Sequence, residues 1–569
     1  MTGVCMTGGR MTDQLADEVS GDGLMCHAHE FARRVKLSGT AEERESFEYL
    51  RAEMEGIGFR TELLEHDAYI SLPGASHVEV DGRKLRSITH SFSLPSPPGG
   101  LRAPLVYCGE GRAADFAAAD VRGKVVLLEG IASPAQSALA SAAGAAGQLH
   151  ISPQSHLHEM CISPVWGSPA DPGQLPGTVV CTVPDADGAA LRERLRAGEA
   201  VEAVLHGAVD TGWRRTPLLE AELDGPDAAG GPFVLFTGHH DTWHLGVMDN
   251  GTANAVMIEV ARVMAAHRGA WRRGLRLCFW SGHSHGRYSG SAWYADRRWD
   301  ELDRRCLVHV NVDSSGGIGA TDMTASFVSP ELAALAAEAV RDETGDVHAG
   351  RRPGRNSDQS FWGIGVPSLF GGVSTQVPGT STFGPATMRN ALGWWWHTPH
   401  DTLDKIDPEF LRRDARVYVR ALWRLLTEEV APLDPAAAAA GLVRELRSLL
   451  LPSDEVPVAA VLAAADALAG MRPASDAAAM RACRALVPLD MTDGDRFAHD
   501  PALPQPPWPV LEPVRAWARE TPGSDEARFA AVEAVRACNR LLHGLRTAAA
   551  ALGDPAVADA DLLLSGALA

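Results

Sequence analysis

Compact apolar runs and amphipathic stretches alternate through the middle of the chain. FVLFT (233–237), LRLCFW (275–280) and LVHVNV (307–312) are short apolar runs of strand length, and VPSLFG (366–371) reads as another. Between the first two, Ala253 to His267 places Val256, Val260, Val263 and Met264 on one side, which predicts a helix. Strands separated by helices predict an α/β fold: a mostly parallel sheet with helices on both faces. Upstream, Thr40 and Glu43 form a capping box. Phe47, Leu50, Met54 and Ile57 then share a helical face, Gly58 ends the helix, and FRTELLEH follows as a strand.

The texture changes twice along the 569 residues. From about 90 to 215, LVYCG, KVVLLEG and TVVCTVP are short buried strands, with the alanine-rich helix AQSALASAAGAAG between the last two. From 431 onward alanine, leucine and arginine dominate, which predicts a helical segment broken at Pro452, Pro457, Pro473 and the proline-rich run 501–509. The expected organisation is a flexible lead over 1–23, a core unit from 24–89 and 216–430, a β-rich insert at 90–215, and a helical domain at 431–569.

Composition narrows the function classes. A formal charge of −20 argues against nucleic acid and against an anionic membrane surface. No run of 18 apolar residues spans a bilayer, and the N-terminus has no apolar signal core. Nine scattered cysteines without a CxxC pair fit reduced thiols, so a cytoplasmic location is expected.

The candidate chemistry lies at strand ends, where ligands bind in such sheets. His239-His240-Asp241, Asp249-Asn250, Asn311-Val312-Asp313 and His397-Thr398 occur in one order. Imidazole nitrogen and carboxylate oxygen both suit zinc, and two-metal hydrolases hold their cations roughly 3.5–4 Å apart on such donors. Asp241 is placed to orient the His239 imidazole.

TGHHDTWHLGVMDNGTANAV, FWSG with the later GSAWYAD, VNVDSSGG, NSDQSFWGIGVPSL and WHTPHDTLDKID resemble the co-catalytic zinc aminopeptidases, especially the glutamate carboxypeptidase and transferrin receptor branch. The stretch from LVYCGEG to AGAAGQLHIS resembles the protease-associated domain inserted in such peptidases. The resemblance covers roughly residues 24–430. It implies a zinc-exopeptidase-like fold and metal ligands at His239, Asp249, Asp313 and His397. It also carries an expectation of dimerisation through the C-terminal helices.

One motif departs from the family. Where two adjacent glutamates supply the base and a ligand, this chain has His283-Ser284-His285. An extended segment would turn His283 and His285 to one face. On that reading His285 replaces the ligand and His283 takes the base's place, although both histidines could instead be space-filling. Arg287 and Tyr288 follow and offer a cation and a hydroxyl. Arg351, Arg352 and Arg355 precede Asn356, and Trp394, Trp395 and Trp396 precede His397. Of these, Arg355, Asn356 and Trp396 are the candidate substrate-binding residues. The expected function is hydrolysis of an amide or peptide-like C–N bond in a small peptide-like or carboxylate-bearing substrate, with two divalent metals, zinc first. Iron or manganese with a lyase or redox reaction is the alternative, and a non-catalytic binding protein the third reading.

Overall fold

The computed structural model describes residues 8–226, 229–377, 392–451 and 455–553, with side chains from residue 11. Its strands are β1 (Arg60–Val80), β2 (Arg83–Arg86), β3 (Ile88–Thr89), β4 (Leu101–Tyr107), β5 (Val125–Glu129), β6 (Gly147–Ile151), β7 (Val179–Val183), β8 (Glu202–Leu223), β9 (Phe233–His239), β10 (Gly274–Trp280), β11 (Cys306–Asn311) and β12 (Ser368–Leu369). They form one path in the order β12-β11-β9-β10-β8-β4-β5-β6-β7-β3, with β1 on β8 and β2 on β1. The strands β12, β11, β9 and β10 are parallel, as the sequence predicts, and β8 and β1 add an antiparallel edge.

Alternation within each apolar run explains how both faces are covered. Val234 and Phe236 of β9 and Leu277 and Phe279 of β10 pack into the core built on helices Ala41–Ile57, Ala253–Ala266 and Pro408–Thr427. Their neighbours Phe233, Leu235, Cys278 and Trp280 enter a second core with Tyr294, Leu302 and Phe361. Both faces of the central strands are therefore dry, which is why these runs are apolar throughout.

The lead and the insert differ from the sequence reading. The lead is not flexible from residue 8 onward: Gly8–Asp17 is a helix, and Leu15 and Val19 are buried. Asp13 and Asp17 pair with Arg420 and Arg416 of helix Pro408–Thr427, contacts that local sequence does not reveal. The insert begins before residue 90, because β1 runs unbroken for 21 residues apart from an irregularity between Pro73 and Ser76. Its far end supplies Val78 and Val80 to the core of the insert. That insert also has a parallel β4-β5-β6-β7 sheet with helices Pro134–Ala142 and Asp185–Arg196, so it is α/β rather than simply β-rich.

The C-terminal helices, including the 29-residue Asp525–Gly553, share a core of their own around Trp508, Trp517, Leu541 and Leu545. Pro452, one of the predicted breaks, lies outside the described residues. The described cysteines form no disulfide. Among the described residues no helix is long and apolar enough to cross a membrane.

One fully buried guanidinium ties the two parts together. Arg273, just ahead of β10, donates to both oxygens of Asp476 at 2.6 Å and to the carbonyls of Leu425 and Glu428. Breaking a buried ion pair costs about 3–5 kcal/mol. Arg273→Ala is therefore expected to lose about 3 kcal/mol, the low end because Asp476 is partly exposed. Arg528→Ala, which removes an exposed pair with Asp525, is expected to lose less than about 1 kcal/mol. Denaturant titration of the two variants checks the contrast.

Candidate metal and active site

β9 ends on His239, and the chain then turns through 240–246 into the short helical segment Val247–Thr252 ahead of helix Ala253–Ala266. Asn250 fixes this turn: its amide donates to the carbonyls of His239 and Val312, and its side-chain oxygen accepts from the Ser314 amide. Asp249 thereby meets Asp313, which follows β11. Asp401 braces the same turn by accepting from the amides of Met248 and Asp249 at 2.8 and 3.1 Å. Burial pushes the Asp401 carboxyl up to about 7, against the pull of those amides.

The predicted ligands converge. His239 Nε2 lies 3.0 Å from Asp249 Oδ1 and 3.8 Å from Asp313 Oδ1. The other oxygen of Asp249 lies 3.0 Å from His397 Nε2. Asp249 thus faces one histidine with each oxygen, the arrangement a bridging carboxylate needs. His239 Nε2 and Asp249 Oδ1 are buried without a hydrogen-bond partner. Unsatisfied donors and acceptors at such depth are costly unless something binds them, so this donor set fits a divalent cation. Burial opposes charge on His239, but the carboxylates of Asp249 and Asp313 outweigh it and raise its pKa well above the usual imidazole value.

The backbone carbonyl of Asp241 orients His239 by accepting from Nδ1 at 2.9 Å, a correction to the expectation that its carboxylate would do so. The carboxylate has another task. It accepts from the amides of His283 and Ser284 and from the Ser38 hydroxyl, pinning the loop that follows β10. Burial works against its charge, yet the His285 hydrogen bond and the surrounding imidazoles hold it well below the usual carboxylate range.

That loop is not extended. β10 ends at Trp280, Gly282 adopts φ +74°, and Arg287 and Tyr288 are left-handed at 47° and 69°. The pleat argument therefore fails, and His283 and His285 part company. His283 lines a cavity of about 460 Å³ together with Ser284, Asp249, Asp313 and His397. Its ring stacks on His239 at 3.7 Å, and its Nδ1 sits 2.6 Å from Asp358 Oδ2. Asp358 is itself held by the Ser291 hydroxyl at 2.7 Å. His283, His239 and Asp313 present ligand atoms within 4.8 Å of one another. His285 lies behind this wall, fully buried, with Nδ1 against Ser38 and its ring on Trp243. Its Nε2 has no hydrogen-bond partner. It does not join the cavity lining among the described residues.

The arginine cluster is also rearranged. Arg352 pairs with Asp490, and Arg351 lies over Phe327. Arg355 reaches the cavity wall but sits over Trp166 and Trp362 and donates to the carbonyls of Asp500 and Pro501. It is therefore not an open carboxylate clamp. Asn356 lines the cavity with an unpartnered side-chain oxygen, and Trp396 lines it while stacking on His397 at 3.5 Å.

Sequence reasoning missed the insert's contribution. The Glu159 carbonyl accepts from His397 Nδ1 at 2.6 Å, the Glu159 amide donates back to the His397 carbonyl, and Met160 and Cys161 line the cavity. Burial lifts the Glu159 carboxyl to about 7. Nothing near Glu159 in the sequence signals this role. Asp401, by contrast, stands inside the WHTPHDT motif, where its position four residues after His397 was a usable signal.

Residues 221–422 match the family model described as Peptidase family M28. A probable glutamate carboxypeptidase LAMP1 of Arabidopsis thaliana is 25% identical over 229 residues, covering 38% of this chain and 33% of that one. The aminopeptidase YwaD of Bacillus subtilis is 23% identical over 414 residues, covering 70% of this chain and 82% of that one. The chain thus spans about a third of the plant relative's length. Among solved structures, an aminopeptidase from Aneurinibacillus sp. strain AM-1 superposes with a TM-score of 0.56 at 22% identity, covering 74% of this chain and 98% of that one. A peptidase M28 precursor from Shewanella amazonensis reaches 0.59 at 18% identity, covering 74% and 97%. The motifs and these comparisons point to the same likeness over residues 221–422, and the zinc-exopeptidase-like fold is shared with the solved structures.

Asp241→Asn retains shape but leaves only one accepting oxygen for three donors. A buried donor left unpaired costs about 1–3 kcal/mol. The variant is expected to lose stability in that range and to exchange the amides of 282–286 faster. Hydrogen–deuterium exchange by mass spectrometry measures the second effect directly.

Proposed function

We propose that this chain is a metal-dependent hydrolase of a peptide or amide C–N bond. The observation that carries the reading is Asp249 facing His239 and His397 with its two oxygens, beside His283, which lines the same cavity and is held from behind by the buried Asp358. Such a donor set would hold divalent metal, two zinc ions first, through His239, Asp249, Asp313 and His397. Bound there, the cations supply electrophilic activation of water and of the scissile carbonyl.

The remaining chemistry belongs to the chain's own residues. Asp358 holds the Nδ1 proton of His283, which leaves Nε2 as the acceptor. His283 takes a proton from the attacking water as its oxygen bonds to the carbonyl carbon. It returns that proton to the leaving nitrogen as the C–N bond breaks. Trp396 stacks on His397 and screens that ligand from solvent. A second reading makes His283 a further ligand, favoured by its proximity to His239 and Asp313.

Metal analysis of protein purified without added metal is expected to find about two divalent ions per chain. His283→Gln should retain them while turnover of small peptides falls roughly 10²–10⁴-fold. Loss of one ion in His283→Gln would make His283 a ligand instead. A protein that neither carries nor takes up divalent metal would overturn the hydrolase reading.

A further inference from the structure

Arg287 is the one cavity-lining cation without an acceptor among the described residues. It sits in the loop that follows β10, half-buried, four residues after His283. Its Nε is buried without a hydrogen-bond partner, and none of its nitrogens has a carboxylate within ion-pair distance among the described residues. The guanidinium rests on the Tyr288 ring at 4.8 Å. That ring in turn stands edge-on to His283 at 4.7 Å. The left-handed backbone at both Arg287 and Tyr288 is an uncommon conformation for side-chain-bearing residues, retained where surroundings enforce it. The amide of Gly167 fixes it by donating to the Arg287 carbonyl.

The alternatives nearby are occupied. Arg355 is committed to two indoles and two main-chain carbonyls. Asp358 is engaged by His283 and Ser291. Asp249 and Asp313 face His239. A half-buried guanidinium with no partner lacks the compensation that buried charges normally require. A planar carboxylate is the complement its fork fits. Asn356, on the same cavity, adds an amide whose oxygen is unpartnered and whose NH2 can donate.

We infer that Arg287 is a carboxylate-binding subsite of the cavity and that the preferred substrates carry a free carboxylate close to the bond that breaks. The inference rests on the hydrolase reading for the word substrate, but the subsite is testable without turnover. Acetyl-alanine and acetyl-alanine amide differ only in the charge of the carboxyl end and serve as paired probes. Calorimetric titration of the wild-type protein is expected to show acetyl-alanine binding about 10- to 100-fold more tightly, the range of a charge-assisted pair. Arg287→Gln should bring the two probes to within about threefold, and Arg287→Lys should retain part of the preference.

A preference that persists undiminished in Arg287→Gln would overturn the proposal and assign carboxylate capture to the metal-binding residues. Equal binding of both probes to wild type would overturn it as well. Unchanged melting of the Lys variant guards against a folding artefact. If the protein proves inactive on every peptide yet the Arg287-dependent preference holds, the subsite stands and the hydrolase reading falls. In an active protein, Arg287→Gln is expected to raise KM for free-acid dipeptides while leaving KM for their amides unchanged.

Discussion

Everything at this site depends on holding two carboxylates, buried Asp249 and half-buried Asp313, beside each other. Asp249 is 5% exposed, so the repulsion between the two is poorly screened. Histidine, hydroxyl donors and a cation can compensate them. The fold invests heavily in this placement: the Asn250 amide clamps two strand ends, Asp401 accepts from the backbone under Asp249, and the Ser314 and Ser357 hydroxyls donate to Asp313. Left-handed backbone at His244, Ser314, Ser357, Asp358 and His397 surrounds the same point. Strain of this kind persists where the surrounding structure over-determines it, and here the dry two-faced sheet does so.

Much of the fold was legible because its signals are local. Apolar runs of strand length with a helical period between them fix a covered parallel sheet, and the residues at the strand ends are then near one another by topology. His239 and Asp313 could be placed on that ground, whereas Asp249 and His397 were placed by the resemblance of their motifs. What was not legible depended on contacts across long separations. Arg355 reads as a free cation until the carbonyls of Asp500 and Pro501, some 145 residues away, occupy it. Leu15 sits among polar neighbours, and its burial follows from the distant helix Pro408–Thr427 rather than from its own surroundings. Glu159 belongs to the insert, and no pattern in 150–165 marks a group that holds His397.

The His283–Ser284–His285 loop shows a subtler limit. Side-chain chemistry can be read from sequence, but direction requires the backbone. Two residues apart means one face only while the chain stays extended. Here the strand stops at Trp280, Gly282 turns left-handed, and Asp241 captures the amides of His283 and Ser284, so the loop turns at once. Ser284 and His283 then share the cavity wall, and His285 faces Ser38. The two histidines looked interchangeable in sequence because nothing local marks where pairing with the sheet ends.

The His283–Asp358 pair also sets where charge stands around the cavity. A glutamate in the place of His283 would add a third anion directly against Asp249 and Asp313. An imidazole there is neutral when Nδ1 carries its one proton, and the anion it needs, Asp358, stands 2.6 Å behind it and 1% exposed. The carboxylate thus stands on the far side of a ring, where it can polarise that ring without repelling Asp249 and Asp313. The same placement leaves room for a cation in the loop. Arg287 beside a glutamate base would be drawn into an ion pair with it, whereas beside a histidine already committed to Asp358 it stays free. The commitment of His283 to Asp358 and the unpaired Arg287 are therefore one arrangement of charge in the cavity, not two.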